Sequence, residues 1–579
     1  MDLITAKKIK KEYTYWKWQI NANETFTEEM TIFTLTGKNV TYALAALESG
    51  HLAHIYYGKR ADDEDLSYLM RLNENPFVPK VNERDMGTFM DTTPFEYPCH
   101  GIGDYREPAV SIMDEKGMTA LDLRFVSYEM IDGKPELYQQ LEDCTVRLPA
   151  TFAAKDEAQT LAITMKDAHS GLTAILYYTV FADLNAITRS VKFINGGDKA
   201  FKLTRALSAC VDFDSDQYDF ITLNGSWARE RVMERCRLHH GKQSIDSVKG
   251  ESSHQNNPFA ALVSHNANED MGEAYGFNLV YSGNFFAEAE VTQHKKTRFV
   301  MGINHFDFSW KLEPAQEFTA PEVVMVYSDK GIGEMSRTFH DLYRQHIIRG
   351  EYKDKRRPIL INNWEATYFN FNTEKLIDIA KQASQLGIEM LVMDDGWFGH
   401  RDKDNSSLGD WYVYEKKLPG GLKSLVDKVR AMGLKFGIWF EPEMISPDSE
   451  LYRKHPDWCL CAPGRKPSIA RFQYVLDMTR EDVRDYLFTV ISGVLSSANI
   501  AYLKWDFNRN LSEAGSALLP PERQQEFFHR YVLGLYDLLE RLTSAFPHIL
   551  FEGCSGGGGR FDPAMLYYSP QIWTSDDTD

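Results

Sequence analysis

Three things are scarce or missing in this sequence, and each absence removes a class of protein. No apolar run approaches the roughly 20 residues that a membrane-spanning helix needs, and the first residues contain no apolar core of the kind that a secretory signal carries. Cysteine is sparse, with 7 residues in 579, which predicts reduced thiols and a cytoplasmic protein. Positive charge is in deficit, since 64 Lys and Arg face 83 Asp and Glu to give a net charge of −19. We therefore expect neither nucleic acid nor a membrane as a partner.

What the sequence does contain is ordinary for a globular chain, apart from its length and its aromatic content. A chain of 579 residues predicts two or more domains. Aromatic residues make up 13% of it, which fits carbohydrate binding, where ring faces stack on sugars, and fits a large β-rich core equally well. The core must account for most of these rings, so composition alone does not decide between the two.

Residues 1–330 have the pattern of an antiparallel β-sandwich. The segment 31–36 alternates apolar and polar residues, and the segments 174–181 and 187–194 are rich in β-branched and aromatic residues. Asn195-Gly196 follows the last of these and predicts a hairpin turn. Many short strands separated by turn residues, with no long helical pattern between them, are typical of a sandwich.

The spacing of apolar residues changes after residue 330, from a strand-like pattern to one that includes helices. Residues 331–357 are predicted to be a helical linker with its helix at 334–348, and residues 358–579 alternate between strand and helix. Near-continuous apolar strands between helices predict a parallel sheet. Predicted strands are 359–364, 389–394, 435–440, 501–505, 549–552 and 571–574, and predicted helices are 373–386, 422–432, 481–497, 524–545 and 563–568.

Polar residues at the end of every strand favour a (β/α)8 TIM-type barrel for residues 358–579. A doubly wound sheet would usually carry a glycine-rich phosphate turn after its first strand, where this sequence has Asn-Asn-Trp. Six strands are predicted and a closed barrel needs about eight. We therefore expect a barrel that is incomplete at its C-terminal end.

The stretch that ends the fourth predicted strand carries the first candidate chemistry. Lys504, Asp506 and Asn508 share one face, because alternate residues of a strand point the same way. A nearby ammonium keeps a carboxylate ionised, as a nucleophile requires. The alternative is a structural ion pair at the mouth of a barrel, and a single triplet of this kind would favour it. Repetition of the pattern on other strands favours a catalytic site.

Two other strand ends repeat the pattern. Asp394 and Asp395 precede Gly396 and Trp397, and paired carboxylates suit recognition of sugar hydroxyls. A divalent metal could also use them, but the sequence has no regular ligand spacing around them, so no metal is expected.

The last strand end supplies candidates for a general acid, which needs a carboxyl group of raised pKa. Asp576, Asp577 and Asp579 follow Trp573, and the residue types alone do not say which of them acts. Glu441 and Glu443 are rival acids that could instead hold loops.

Together these motifs resemble the α-galactosidases of glycoside hydrolase family 36. The resemblance rests on residues 363–367, 394–399, 406–411, 504–509, 554–558 and 573–576, with 96–98 and 103–106 upstream. It implies an N-terminal β-sandwich, a catalytic (β/α)8 barrel and a C-terminal β domain that would lie beyond this sequence. It also implies a homo-oligomer, often a tetramer, whose sites are completed by a neighbouring subunit.

The resemblance further implies retaining hydrolysis of terminal α-galactosides such as melibiose or raffinose, with no cofactor. Asp506 would be the nucleophile and Asp576 the acid/base, while Asp394 and Asp395 hold the outer hydroxyls and Lys504 assists. The residues that would line the sugar pocket are Trp364, Trp439, Arg471, Asn508, Cys554, Gly557 and Trp573. The alternatives are an α-N-acetylgalactosaminidase, a galactosyl transferase, and a non-catalytic carbohydrate-binding protein or inactive fragment.

Overall fold

The computed structural model describes residues 3–17, 22–62, 65–70, 73, 75, 77–81 and 89–577. Thr578 and Asp579, the latter a candidate acid, lie outside the described residues. In the part of the chain that is described, no helix is long and apolar enough to cross a membrane.

The N-terminal part of the chain is built from antiparallel strands. They form one four-stranded sheet, one ten-stranded sheet, one six-stranded sheet and a two-stranded ribbon. The strands are β1 (Ile4–Lys17), β2 (Ala22–Thr36), β3 (Val40–Ala46), β4 (Leu52–Lys59), β5 (Val110–Asp114), β6 (Arg124–Asp132), β7 (Tyr138–Gln140), β8 (Thr145–Arg147), β9 (Ala158–Lys166), β10 (Leu172–Phe181), β11 (Ala186–Asn195), β12 (Phe201–Phe213), β13 (Tyr218–Ser226), β14 (Arg229–Arg237), β15 (Gly241–Asp246), β16 (Asn256–Ser264), β17 (Ala274–Leu279), β18 (Phe285–Val291), β19 (Thr297–Ile303), β20 (Trp310–Leu312), β21 (Glu317–Thr319) and β22 (Val323–Ser328).

The two larger sheets pack against each other. The ten-stranded sheet runs β14-β13-β16-β17-β22-β11-β10-β9-β6, with β21 beside β11, and the six-stranded sheet runs β15-β18-β19-β12-β20, with β5 beside β12. Phe277 of the first sheet stacks on Phe299 of the second, with ring centroids 3.9 Å apart. Alternate residues of β10, such as Leu172, Ala174 and Leu176, are fully buried, because successive strand residues point to opposite faces.

The predicted hairpin at Asn195-Gly196 is wrong. Strand β11 does end at Asn195, but β12 belongs to the other sheet. Neither residue has the positive φ that a type I′ turn requires. The Asn195 side chain instead donates to the carbonyl oxygens of Lys199, at 2.8 Å, and Leu312, at 2.9 Å, and so supports a crossing between sheets.

A helix, α1 (Gly331–His346), follows β22 and begins three residues before its predicted start at 334. Met335, Phe339 and Leu342 are buried on one face, which is the spacing that predicted the helix. This face packs against β17, where a Cβ on Gly276 would lie 2.6 Å from the Phe339 ring. The absence of a side chain at Gly276 therefore lets the helix approach the sheet.

The remaining chain alternates strands and helices around a six-stranded parallel sheet. Its order is β23-β24-β25-β28-β29-β30, so its six strands lie side by side in the order in which they occur along the chain. The strands are β23 (Leu360–Asn362), β24 (Met390–Met393), β25 (Lys435–Phe440), β26 (Met444–Ile445), β27 (Tyr474–Val475), β28 (Tyr502–Trp505), β29 (Leu550–Gly553) and β30 (Gln571–Ile572). The helices are α2 (Trp364–Thr367), α3 (Thr373–Gln385), α4 (Gly421–Ala431), α5 (Glu450–Lys454), α6 (Glu481–Ser497), α7 (Phe527–Ala545) and α8 (Pro563–Tyr568). Strands β26 and β27 form a separate antiparallel pair.

All six predicted parallel strands are present, with changes at their ends. The helices predicted at 481–497 and 563–568 and the strand predicted at 435–440 have the expected bounds. The first predicted strand is shorter, because the Asn362 side chain accepts from the Trp364 N–H at 2.8 Å and turns the chain into α2. The last predicted strand, 571–574, is also shorter and ends at Ile572.

Candidate active site

The carboxyl ends of neighbouring parallel strands meet at one edge of the sheet. Phe440 of β25 pairs with Trp505 of β28, and Trp505 pairs with Gly553 of β29. The residues that follow these strands are Glu441, Asp506 and Cys554, and they therefore lie side by side. This edge is where α/β proteins bind their ligands.

Asp506 is 7% exposed and accepts hydrogen bonds at both carboxylate oxygens. Trp439 Nε1 and Asn508 Nδ2 donate to Oδ2 at 3.1 and 2.8 Å, while the Phe507 and Gly556 N–H groups donate to Oδ1 at 2.9 and 3.3 Å. Burial acts to raise the pKa of Asp506, but the Lys504 charge, the Asn508 and Cys554 side chains and the Arg471 charge outweigh it, so that the pKa lies below its ordinary value. Asp506 is thus an ionised carboxylate in a buried position.

Lys504 joins Asp506 to the strand end that carries Asp394. Its ammonium lies 3.4 Å from Asp394 Oδ2 and 5.7 Å from the centre of the Trp573 ring. Burial acts to lower the pKa of Lys504, but the carboxylates around it raise that pKa well above its usual value. Asn362 Nδ2 donates to the same Asp394 oxygen at 2.6 Å. Asn362 was not predicted as a site residue, although it is the polar end of the first parallel strand.

Asp395 is held by a partner that the sequence analysis did not single out. Arg401 Nε and Nη2 donate to its two oxygens at 2.6 and 2.8 Å. Burial raises the pKa of Asp395, and the Arg401 charge offsets this only in part. The bidentate pair fixes the plane of the Asp395 carboxylate, and the Asp394 side chain accepts from the Asp395 N–H at 2.9 Å.

The glycine-rich loop after β29 closes over Asp506. Cys554 is buried, and burial together with the Asp506 charge raises the pKa of its thiol well above the usual value. Gly557 has a φ of +81°, and a Cβ there would lie 2.7 Å from the backbone nitrogen of Asp576. Glycine at this position therefore allows the Asp576 backbone to approach the loop.

Asp576 lies on the other side of this loop and is half-buried. Trp573 Nε1 donates to its Oδ1 at 3.1 Å, and Trp227 Nε1 donates to its Oδ2 at 3.0 Å. Asp577, a rival acid, is exposed and pairs with Arg229. Of the candidate acids that the structure describes at this strand end, Asp576 is therefore the one bonded to a predicted pocket residue, Trp573.

Trp227 belongs to the β13–β14 hairpin, whose tip reaches from the β-rich region to the end of the parallel sheet. Glu230 accepts from the Gly558 N–H at 3.3 Å and from Ser575 Oγ at 2.7 Å, and Arg231 donates to the Thr574 carbonyl oxygen. The sequence analysis missed these residues. They lie some 340 positions from their partners and follow no motif, so no signal in the sequence could have placed them.

The two rival glutamates are buried and engaged. The Glu441 carboxylate accepts from Gln473 Nε2 and from the Asn508 N–H, both at 2.8 Å, and burial together with the Asp506 charge raises its pKa to about 7. Glu443 pairs with Arg560 at 2.8 Å and accepts from Trp505 Nε1 and the Tyr531 hydroxyl. Both carboxylates are thus engaged by neighbouring side chains and backbone groups.

Trp364 and Arg471 are less closely tied to the centre. Trp364 is half-buried, and its N–H donates to Asn362, whose side chain in turn donates to Asp394. Arg471 is exposed with a φ of +50°, and its charge helps to lower the pKa of Asp506. The structure thus brings the other predicted site residues into one connected cluster and leaves these two at its margin.

Comparison with protein families accounts for most of the chain. The model of the glycosyl hydrolase family 36 N-terminal domain matches residues 50–313, and the Melibiase model matches residues 317–579. The chain belongs to glycoside hydrolase family 36. It is therefore a glycoside hydrolase, as its sequence motifs predicted.

Two α-galactosidases are similar to this protein over nearly the whole chain. The α-galactosidase AgaA of Geobacillus stearothermophilus is 53% identical over 548 residues, which cover 94% of this chain and 74% of that protein. The α-galactosidase Mel36A of Lactobacillus acidophilus is 47% identical over 556 residues, covering 96% and 75%. The crystal structure of AgaA superposes on this family 36 chain with a TM-score of 0.92, covering 95% of this chain and 75% of AgaA. A variant of AgaA in complex with raffinose superposes with a TM-score of 0.91 at 52% identity, with the same coverage.

Proposed function

We propose that this chain is an α-galactosidase that hydrolyses terminal α-D-galactose residues from melibiose and raffinose-type oligosaccharides, with retention of anomeric configuration. One observation carries the proposal. Asp506 and Asp576 flank the same Gly556–Gly557 turn, one buried among fixed donors and the other half-exposed between two indoles. Two carboxyl groups in different environments are what retaining glycosidases use, and in such enzymes they stand about 5–5.5 Å apart.

Asp506 is suited to be the nucleophile because it stays ionised without being free to move. In the first step one of its oxygens bonds to the anomeric carbon while the bond to the leaving oxygen breaks. Lys504 keeps Asp506 ionised before the attack, and once Asp506 is an uncharged ester the Lys504 ammonium still has Asp394 as its partner. The Asn508 and Trp439 donors hold Oδ2.

Asp576 is suited to be the acid/base. Its carboxyl group donates a proton to the leaving oxygen in the first step. In the second step its carboxylate takes a proton from water while the water oxygen bonds to the anomeric carbon, so that the bond to Asp506 breaks and α-galactose is released. The adjacent residues Gly556 and Gly557 contact Asp506 and the Asp576 backbone respectively, which supports the proximity of the two carboxyl groups.

The remaining groups form a polar pocket for one sugar. Asp394 and Lys504 present an acceptor and a donor at neighbouring strand ends, and Asp395 is held in plane by Arg401. Trp573 offers a ring face beside them. Galactose has several hydroxyls that need such partners, and buried polar groups would be left unpaired by a sugar lacking them.

The stereochemical outcome tests the mechanism. Cleavage of a nitrophenyl α-galactoside followed by NMR should yield the α anomer of galactose first, and the β anomer first would contradict retention. Asp506→Ala should abolish turnover, and ordinary activity in that variant would remove Asp506 from the role. Azide should rescue cleavage of an activated substrate by Asp576→Gly. The matched control is Asp577→Gly, which alters the exposed neighbour and should need no rescue.

Architecture, location and assembly complete the proposal. We propose that the parallel sheet is part of a (β/α)8 barrel, because its strands follow chain order without the reversal of a doubly wound sheet, and that the divisions are 1–330, 331–357 and 358–579. All seven cysteines, each of them described, are free, which supports a cytoplasmic location. A homo-oligomer is proposed from the family resemblance, and light scattering on the purified protein would test it.

A further inference from the structure

The loop of residues 247–255 connects β15 to β16 and extends from the β-rich region to the parallel sheet. Its Lys249 carbonyl oxygen accepts from the Leu511 N–H at 2.9 Å. His254 Nε2 lies 2.7 Å from the Gly556 carbonyl oxygen. The loop therefore contacts both the segment that follows Asp506 and the glycine-rich turn beside it.

Glu251 is the centre of this contact and is 2% exposed. Its Oε2 lies 2.9 Å from Ser555 Oγ, and the same Ser555 Oγ lies 2.8 Å from the Phe507 carbonyl oxygen. A hydroxyl has one proton to donate, and a carbonyl oxygen can only accept. Each contact is a full two-centre hydrogen bond only if Ser555 donates to Phe507 and Glu251 donates to Ser555, because an ionised Glu251 would have to share the single Ser555 proton with Phe507. Glu251 donates only when its carboxyl group is protonated.

The charges around Glu251 agree with a neutral carboxyl group. Arg560 is a buried cation whose charge acts on Glu251, and it is paired with Glu443 at 2.8 Å. Among the residues that the structure describes, no ion pair includes Glu251. Burial raises the pKa of Glu251 to about 8, with Glu443 adding to the rise and Arg560, Ser555 and Lys249 opposing it.

The other titratable groups next to the loop have their own partners. Asp562 accepts from Ser252 Oγ at 2.9 Å and from Ser282 Oγ at 2.8 Å. His254 contacts the Gly556 carbonyl oxygen. Neither residue forms a described hydrogen bond with Glu251.

Ser555 connects Glu251 to the nucleophile by two short routes. The Phe507 N–H donates to Asp506 Oδ1 at 2.9 Å, and Ser555 Oγ holds the carbonyl group of that same Phe507. The Gly556 N–H, one residue after Ser555, donates to the same Asp506 oxygen at 3.3 Å. Moving Ser555 would therefore displace both backbone donors to Oδ1.

We propose that Glu251 is a positioning residue of the active site, kept protonated so that the chain Glu251–Ser555–Phe507 fixes the backbone donors to Asp506. This inference rests on the proposed role of Asp506 as nucleophile. Glu251 touches no substrate atom in this scheme and acts through Ser555. Ionisation of Glu251 leaves two acceptors competing for the single Ser555 proton.

The kinetic test compares two substitutions at one position. Glu251→Gln supplies a neutral donor in place of the acid and should keep kcat within about threefold of the wild type near pH 6. Glu251→Ala removes the donor and should lower kcat about tenfold or more with little change in KM, because a displaced catalytic group costs rate rather than binding. Above about pH 8 the Gln variant should lose less of its activity than the wild type does.

Thermal unfolding tests the protonation state without any substrate. An acid whose pKa is raised from 4.5 to about 8 on folding binds more protons in the folded state, so its presence makes stability fall as pH rises through that window. The Tm of Glu251→Gln minus that of the wild type should therefore increase between about pH 5 and 8. Glu96→Gln is the matched control, since Glu96 is a fully buried carboxylate paired with Arg189 at 2.9 Å. It should lower Tm while leaving kcat per folded molecule unchanged.

Either of two results overturns the proposal: an equal loss of kcat in Glu251→Gln and Glu251→Ala, or a Tm difference that does not change with pH. If the wild-type protein cleaves no α-galactoside, the proposed function fails instead. The unfolding comparison would still decide whether Glu251 is protonated.

Discussion

Replacing Trp439 by Phe removes one donor from Asp506 and leaves most of the ring in place. Trp439 Nε1 lies 3.1 Å from Asp506 Oδ2, and the side chain is 2% exposed. Phe retains an aromatic ring that can pack in the same position. The substitution therefore isolates the contribution of one N–H group to the charge of the proposed nucleophile.

The size of the effect follows from the burial of this hydrogen bond. A hydrogen bond to a charged group contributes about 1.5–3 kcal/mol, and one pKa unit corresponds to about 1.36 kcal/mol. Losing the Trp439 donor should thus raise the pKa of Asp506 by about one to two units. The Asn508, Phe507 and Gly556 donors remain. Since the ionised form is the active one, activity should be lost at a higher pH on the acid side.

The assay is the pH dependence of kcat/KM with a nitrophenyl α-galactoside, because that ratio reports the pKa values of the free enzyme. The acid limb of Trp439→Phe should move to higher pH by about one to two units. Trp397→Phe is the matched control, since Trp397 is fully buried and its Nε1 donates to the Trp439 carbonyl oxygen rather than to a carboxylate. An acid limb that stays in place in Trp439→Phe, or that moves equally in Trp397→Phe, refutes the reasoning.

Three further predictions concern groups around the two aspartates. Gly557→Ala should lower kcat about 10- to 100-fold, because its Cβ would lie 2.7 Å from the Asp576 nitrogen at a φ of +81°; steady-state kinetics with wild-type rates would contradict this. Arg401→Met should destabilise the fold by about 3–5 kcal/mol in denaturant unfolding, since Asp395 would be left buried without its cation. The exposed Arg229–Asp577 pair is its control, and Arg229→Ala should cost at most about 1 kcal/mol. Trp227→Phe should lower kcat for poor leaving groups more than for nitrophenol, because its indole donates to the proposed acid; an equal loss on both substrates would separate Trp227 from acid catalysis.

The parallel-sheet half of the site could be predicted from the sequence because its residues follow strands directly. Once β25, β28 and β29 are recognised as apolar runs, the common edge of a parallel sheet places Glu441, Asp506 and Cys554 together. Most of the parallel strands and helices are likewise predicted by hydrophobic periodicity. Where a functional side chain lies within two residues of a strand end, its position along the sequence was sufficient to predict that it lies at the site.

The contribution of the β-rich region could not be predicted. Trp227 and Glu251 lie in connections between antiparallel strands, and their partners Asp576 and Ser555 are more than 300 positions away. No periodicity relates such residues, and a glutamate in a loop is ordinarily solvated. The hairpin expected at Asn195 was wrong for a related reason. Turn propensity is local, whereas the choice between continuing a sheet and crossing to another depends on packing that the sequence does not display.

The two proposed catalytic carboxylates differ in what holds them, and the difference matches their tasks. Asp506 receives donors from its own strand end, from β25 and from the glycine-rich turn, which keep one protonation state throughout. Asp576 is half-exposed and receives only two indole donors among the described residues, one of them from the β13–β14 hairpin. A group that must give up and regain a proton in each cycle needs access to water and an environment that tolerates both states. Since the hairpin reaches Asp576 and the loop of residues 247–255 lies behind Asp506, the β-rich region supports both carboxylates, and neither would keep its environment without it.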